Sequence, residues 1–287
     1  MAKQRLDALL VARGLCPSRQ RAQRLIRAGD VTVDRHTIDK PGTEVAINAQ
    51  IQIAKPLPYV SRGGEKLAKA LQSFAIVVCD RICLDGGIST GGFTDCLLQA
   101  GARLVYGVDV GYGQVAWKLR QDPRTILHER TNLRHLKPQE LYDNSDISGP
   151  DGAWADLGVV DVSFISLTKI LPALWPLLQP PREVILLIKP QFEVGRDYFQ
   201  KPAQRQSRSS KKGVVRDPEA QIAVIQQVLQ AAQSLGWQYR GLTWSPLTGP
   251  AGNIEYLLWL DTNSPASQIE QSSIAQVVGE AWRTLSS

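Results

Sequence analysis

The residues with the clearest chemical use lie where short apolar runs stop at an acid. Ile82-Cys83-Leu84-Asp85 leads directly into Gly86-Gly87-Ile88-Ser89-Thr90-Gly91-Gly92. Glycines let a main chain approach a ligand closely, and the helix start that follows offers free N–H groups. A second apolar run, Leu104 onward, ends in Asp109, 24 residues after Asp85. An acid at that point can accept two hydrogen bonds from a ribose diol. Either feature alone also suits a strand packed tightly on a helix, but together they predict a nucleoside ligand. The turn lacks the G-x-G-x-x-G spacing of a nicotinamide dinucleotide site, and no Gly-Lys-Ser/Thr is present in it for a triphosphate. S-adenosylmethionine, with a ribose and a sulfonium but no phosphate, fits the pattern better.

Three further side chains stand at the edges of apolar runs. Asp161 belongs to the run Val159–Val162, Lys189 follows Val184-Ile185-Leu186-Leu187-Ile188, and Glu255 opens Glu255–Leu260. Taken singly, a lysine after a buried strand can be the strand's solvated end, and Lys66 alone would be a helix-surface charge.

From residue 81 onward, strand and helix patterns alternate, with strands expected at 82–85, 104–109, 125–128, 159–162, 184–189 and 255–260. Helices are expected after the glycine turn, over 218–235 and in the tail 266–285. Such alternation predicts an α/β, Rossmann-like sheet with helices on both faces. The first 60 residues differ. Leu6, Leu9 and Leu10 mark one helix that Gly14 ends; Ser18 caps a second, Arg19 to Ala28, that Gly29 ends. Short alternating runs at 31–33, 45–47 and 51–53 predict small strands, giving a small α+β domain. Lys55-Pro56-Leu57-Pro58 suggests a stiff linker, hence domains at 1–58 and 59–287.

Charge divides the same way. Residues 1–60 carry ten Lys and Arg and five acids, against 23 and 22 in the remainder. Arg21, Arg24 and Arg27 recur along one helix face, which suits a polyanion partner, although such a face can also be merely solvated. Residues 198–216 hold six basic side chains and no acid, as expected of a mobile basic loop. Hydrophobic residues make up 43% of the 287, enough for a core, and exclude a fibrous or disordered chain. The four cysteines form no CxxC, the three histidines have no ligand spacing, and no metal site is expected. Trp154, Trp175, Trp237, Trp244 and Trp259 are expected in the core. No apolar run approaches the ~18 residues that span a bilayer, and the start lacks a signal peptide's apolar stretch, so a cytoplasmic protein is expected.

Several longer motifs resemble the TlyA (hemolysin A) family. They are Ser61-Arg62-Gly63-Gly64-Glu65-Lys66-Leu67, Asp85 to Thr94, Gly107 to Gln114, Asp161 to Leu167, Lys189 to Gly195 and Gly252 to Tyr256. The resemblance implies an S4 RNA-binding domain followed by an FtsJ-like methyltransferase domain. It further implies methyl transfer from S-adenosylmethionine to the ribose 2′-OH of cytidine in ribosomal RNA, with ribosomal RNA or ribosomal subunits as partners. The family's Lys-Asp-Lys-Glu tetrad falls on Lys66, Asp161, Lys189 and Glu255. The donor is then expected on Asp85, Gly86, Gly87, Ser89, Thr90, Gly91, Gly92, Phe93, Asp109, Glu129 and Asp161, and the RNA on Arg5, Arg19, Arg21, Arg24, Arg27 and Arg62.

The chemistry is compatible. A 2′-OH is a poor nucleophile, so its proton must leave as the methyl arrives. A desolvated lysine beside like charge gives up its own proton more readily and can then act as base. Lys189 is the first choice, with Asp161 orienting it and Lys66 and Glu255 positioning the hydroxyl. Competing readings are a small-molecule or protein methyltransferase, a membrane-active hemolysin, and an RNA-binding protein whose methyltransferase domain is inactive.

Overall fold

The computed structural model describes residues 2–27, 29–53, 58–142, 154–200, 213–263, 265 and 269–285. The chain divides into two compact units, Met1–Leu57 and Pro58–Ser287. Residues 55–57 of the expected linker and 201–212 of the expected basic loop lie outside the described residues.

In the first unit, α1 (Leu6–Ala12) and α2 (Arg19–Arg27) bury Leu6, Leu9, Leu10, Ala22 and Ile26 against Val31, Val33 and Val45. Ser18 Oγ accepts from the Arg21 N–H at 3.3 Å, satisfying a free donor at the start of α2. Strand β1 (Lys3–Arg5) pairs antiparallel with β4 (Glu44–Ala46), and β2 (Val31–Val33) lies between β3 (His36–Thr37) and β5 (Ile51–Ile53). The two- and three-residue strands β1 and β3 are too short to leave a readable alternation. Asp7 is wholly buried in this small core. Buried charge is tolerated only with partners. Arg5 Nη2 reaches it at 3.0 Å, Arg19 Nε at 3.0 Å and Gln23 Nε2 at 2.9 Å. The Arg5 guanidinium holds the Asp7 carboxyl well below the usual carboxylate range.

The second unit is built on β6 (Ile82–Gly86), β7 (Leu104–Val108), β8 (Thr125–His128), β9 (Leu157–Val160), β10 (Glu183–Ile188), β11 (Gln238–Trp244) and β12 (Tyr256–Asp261). They form one sheet in the order β11-β12-β10-β9-β6-β7-β8. Strands β6 to β10 are parallel to their neighbours in that order, while β12 is antiparallel to both β10 and β11. The apolar runs reflect burial on both faces. Along β10, Val184, Leu186 and Ile188 enter one core while Ile185 and Leu187 enter the other.

On one face lie α3 (Gly63–Phe74) and α4 (Gly92–Gln99), burying Leu67, Ala70, Phe93 and Leu97. The larger core on the other face includes residues of α7 (Leu171–Leu177), α9 (Pro218–Gln233) and α10 (Gln271–Leu285). Three short helices, α5 (Trp117–Arg120), α6 (Pro138–Tyr142) and α8 (Pro190–Glu193), complete the described set. The sheet is thus mixed. Strand β11 escapes sequence reasoning because it is an edge strand beginning Gln-Tyr-Arg, with polar groups where alternation would be sought. Strand β9 runs 157–160 rather than 159–162, so Asp161 lies beyond the strand. Among the tryptophans only Trp237 is fully buried; Trp154 is 36% exposed, stacked on Tyr142 at the surface. Cys16, Cys83 and Cys96 are buried and Cys79 is exposed.

Candidate functional site

Strand order reverses at β6, which has β7 on one side and β9 on the other. Ligands of open α/β sheets bind beyond the carboxyl ends of strands at such a point. The segments leaving β6, β7 and β9 there enclose two adjoining cavities. The larger, about 480 Å³, is lined by Gly87, Ser89, Asp109, Val110, Gln114, Thr131, Asn132, Asp161 and Phe164, among others. The smaller, about 260 Å³, brings Ser61, Arg62, Gly63 and Lys66 to Thr90, Gly92 and Phe93, with Leu247, Thr248 and Pro250 opposite. Gly87, Ser89 and Asp161 line both, so the cavities meet at the glycine turn.

The turn is tied to the side chain of Asp109, which follows β7. Asp109 accepts from the Ser89 N–H at 2.8 Å and from the Gly111 N–H at 2.7 Å, one on each carboxylate oxygen. Each oxygen keeps acceptor capacity for a ligand. Gly87 has φ 93°, and a side chain there would lie 2.4 Å from the Asp161 carbonyl. Only glycine fits.

Not every expected donor-site residue reaches a cavity. Asp85 is wholly buried below the turn, with Oδ2 accepting from Thr94 Oγ1 at 2.7 Å and Oδ1 unpartnered among the described residues. Burial pushes its pKa up to about 7, and the nearby charges of Asp161 and Asp109 add to the push. Gly86 faces Leu133, and Gly91 faces Leu119. A Cβ on Gly91 would stand 2.2 Å from Leu119 Cδ1 at φ 95°, so this glycine serves packing and the start of α4 rather than ligand approach. Glu129 accepts from the Gly113 N–H at 2.8 Å and pairs with Arg120, whose guanidinium holds its carboxyl below the usual range. It braces the segment after β7 and lines neither cavity. Gln114, Thr131, Asn132 and the 247–250 segment line the cavities without a legible motif. Their positions after strands appear only once the chain is folded.

The four tetrad residues gather at the carboxyl edge of the sheet. Asp161 follows β9, Lys189 follows β10, and Glu255 precedes the antiparallel β12, whose start lies beside the end of β10. Lys66 comes from α3. They arrive as two ion pairs: Lys66 Nζ lies 2.5 Å from Glu255 Oε2, and Lys189 Nζ lies 2.5 Å from Asp161 Oδ1. Lys189 also donates to Ser163 Oγ at 2.8 Å. The Lys66 and Glu255 side chains are 12% and 2% exposed, far from the solvated helix charge that Lys66 alone would suggest. Each ammonium therefore faces a carboxylate, Asp161 against Lys189 and Glu255 against Lys66.

Phe164 is unlike its neighbours. It is 91% exposed, has φ 65°, and stands at the rim of the larger cavity with its ring centroid 5.0 Å from that of Phe192. A non-glycine residue held in that backbone region is strained, and strain of this kind gathers at functional sites. Among the expected RNA contacts, Arg21, Arg24 and Arg27 are exposed on α2, and Arg62 is exposed at the mouth of the smaller cavity. Arg5 and Arg19 are committed in part to Asp7. Among the described residues, no group of three or more His, Cys, Asp or Glu could hold a metal ion, and no helix is long and apolar enough to cross a membrane.

Residues 59–262 match the FtsJ-like methyltransferase family, and residues 4–51 match the S4 domain. Fold and site thus define an S-adenosylmethionine-dependent methyltransferase carrying an S4 domain. The cradle suits that donor: Asp109 has free acceptor capacity, the glycine turn leaves room beside it, and Asp109 and Asp161 bring two acids to the wall of a cavity that would take a cationic ligand. The chain is 45% identical over 262 residues to the 16S/23S rRNA (cytidine-2′-O)-methyltransferase TlyA of Mycobacterium tuberculosis, covering 91% of this chain and 90% of that protein. It is 38% identical to Hemolysin A of Brachyspira hyodysenteriae, over 88% of this chain and 98% of that one. A solved structure named "Putative hemolysin from Streptococcus thermophilus" superposes with a TM-score of 0.71 at 40% identity, covering 100% of this chain and 98% of its own. The chain belongs to the TlyA (hemolysin A) family.

Proposed function

We propose that this chain transfers a methyl group from S-adenosylmethionine to the ribose 2′-OH of cytidine in ribosomal RNA, within the cytoplasm. Residues 1–58 are the RNA-holding domain and residues 59–287 the catalytic one. The observation that carries this reading is a pair of lysine–carboxylate ion pairs at the carboxyl edge of the sheet, of which Lys66 and Asp161 line the adjoining cavities while Lys189 and Glu255 stand behind them, with Asp109 on the wall of the larger cavity. When bound, the donor supplies an electrophilic methyl on a sulfonium. Asp109 binds the donor's ribose diol, with Ser89, Gly87 and Asp161 along its path. Lys189 binds the target hydroxyl oxygen and takes up its proton, while Asp161 fixes the lysine's position. Because Lys189 begins paired to Asp161, it must first release a proton of its own before it can act as base. Lys66, fixed by Glu255, orients the hydroxyl from the opposite side. Phe164 offers the target base an exposed ring on which to stack, and Arg62 meets the RNA backbone at the cavity mouth.

The test is methylation mapping on ribosomal subunits taken from a strain that lacks the protein. Purified protein and donor should restore one or more 2′-O-methylcytidines. Subunits that gain no methyl group, or gain one on a base rather than a ribose, would overturn the assignment.

A further inference from the structure

A third cavity, about 770 Å³, borders the donor site without including any tetrad residue. It shares Phe164 and Ile165 with the larger donor cavity and is otherwise enclosed by Arg134 and by residues from the 166–169 segment, α8 and its sequel, and α9. Its volume lies in the range of pockets that hold a small ligand. Three features of the wall stand outside the tetrad, although the Phe192 ring lies 5.9 Å from Lys189 Nζ. Phe192, packed beside Phe164, and Phe199 supply aromatic surface. Arg134 and Lys169 are exposed cations at its margin, and none of the described ion pairs includes them. Gln191 Oε1 is buried and lacks a partner among the described residues. An amide acceptor shut away from water without a donor costs free energy, and such orphans call for an explanation. The acidic wall residue Glu193 does not answer it. Its carboxylate accepts from Ser166 Oγ at 2.6 Å and the Leu167 N–H at 2.8 Å, and burial pushes its pKa up.

Aromatic faces, cations and an unpaired amide are together the elements of nucleotide recognition: stacking, phosphate contact and edge reading. The cavity lacks Lys66 and Asp161, which line the two cavities at the glycine turn, so its occupant is not the reacting ribose. It does adjoin that site through Phe164. We infer that this cavity holds a nucleotide neighbouring the target cytidine, with the Gln191 amide reading its base edge and Arg134 and Lys169 meeting its phosphates. This inference rests on the RNA 2′-O-methyltransferase reading above. Gln191 thereby makes methylation depend on the identity of a base that is not itself modified.

The experiment uses the full-length protein and ribosomal subunits reconstituted with each of the four bases at the positions flanking the target. At one of those positions the wild type should lose about 10-fold or more in kcat/KM when the native base is replaced, the scale of a lost amide–base contact. Gln191→Leu, close in volume but without the amide, should methylate all four substrates within about 2-fold of one another, with donor affinity unchanged by calorimetry. Gln191→Glu, which can only accept, should change which base is preferred, and it carries the test if the leucine variant fails to bind donor. A wild type indifferent to both neighbours, or variants that keep the wild-type preference, would overturn the subsite while leaving the methyltransferase reading intact. A wild type that methylates none of the substrates, native one included, would instead remove the reading on which the subsite rests.

Discussion

Lys189 enters the site as half of an ion pair, so its removal should abolish a transition-state contact while leaving both substrates bound. Lys189→Ala should lower kcat by about 10²–10⁴-fold, the usual worth of general-base help. Lys189→Arg should not restore it, because a guanidinium keeps its proton at any workable pH. Single-turnover methylation checks both, and a full-rate alanine variant would remove the lysine from the mechanism. Asp85 makes a separate, pH-linked prediction. Its pKa rises from 3.8 to about 7 on folding, chiefly through burial. The folded state therefore holds a proton that the unfolded chain has lost between those values. Stability from this group is present below pH 4 and disappears as pH rises through 7, an effect of ~4 kcal/mol at most. The melting temperature of Asp85→Asn, a mimic of the neutral acid, should rise relative to wild type between pH 4 and pH 8. A difference that stays flat across that range would show that Asp85 is already ionised in the fold.

At the scale of elements, α1 and α2 are tied together by a single carboxylate. Asp7 serves donors from the strand before α1 and from α2, so its loss leaves Arg5, Arg19 and Gln23 without their shared acceptor. Asp7→Ala should destabilise the first unit by roughly 2–3 kcal/mol, the worth of hydrogen bonds to a charged group. Because this carboxyl is held low, its contribution is present above about pH 4 and fades as pH falls, opposite in sign to that of Asp85. Denaturant melts of the two variants would separate the trends. The same pairing divides the arginines of α2 by role. Arg21, Arg24 and Arg27 are the free face, and replacing all three with Ala should weaken RNA binding across sequences. The slope of log affinity against log salt should flatten by up to about 3, near one per lost phosphate contact. A slope equal to the wild type's would mean the face is only solvated. Arg19→Ala should instead act mainly on stability.

Across the whole molecule, net basic charge is concentrated in the first 60 residues, whereas Asp109 and Asp161 are the acids on the wall of the larger cavity at β6. Asp109→Ala removes the acceptor proposed for the ribose diol and frees the Ser89 and Gly111 N–H groups that Asp109 holds. Donor affinity should fall about 10- to 100-fold, as expected for lost hydrogen bonds to a charged group. RNA affinity should stay within about 2-fold of wild type. Calorimetry with each ligand in turn checks the separation, and an RNA affinity that falls together with donor affinity would contradict it.

Local pattern was sufficient to expose the alternating strands, the glycine turn with its two strand-end acids, and the arginine face of α2. Each is written in spacing: two-residue alternation or apolar runs, glycine where backbone crowds backbone, and a charge every three residues along a helix. The tetrad was legible only as a long motif resemblance, since Lys66 and Glu255 are 189 residues apart and nothing local joins them. Tertiary structure alone decided that Glu255 faces Lys66, because antiparallel β12 brings Glu255 to the edge where the parallel strands end. It also withdrew Asp85, Gly91 and Glu129 from the cavity walls, since burial depends on what packs from distant segments: Thr94 on Asp85, Leu119 beside Gly91, Arg120 on Glu129. A sequence can show that a residue stands at the end of a strand. Which side chains stand opposite is fixed by the order and direction of strands contributed from elsewhere in the chain.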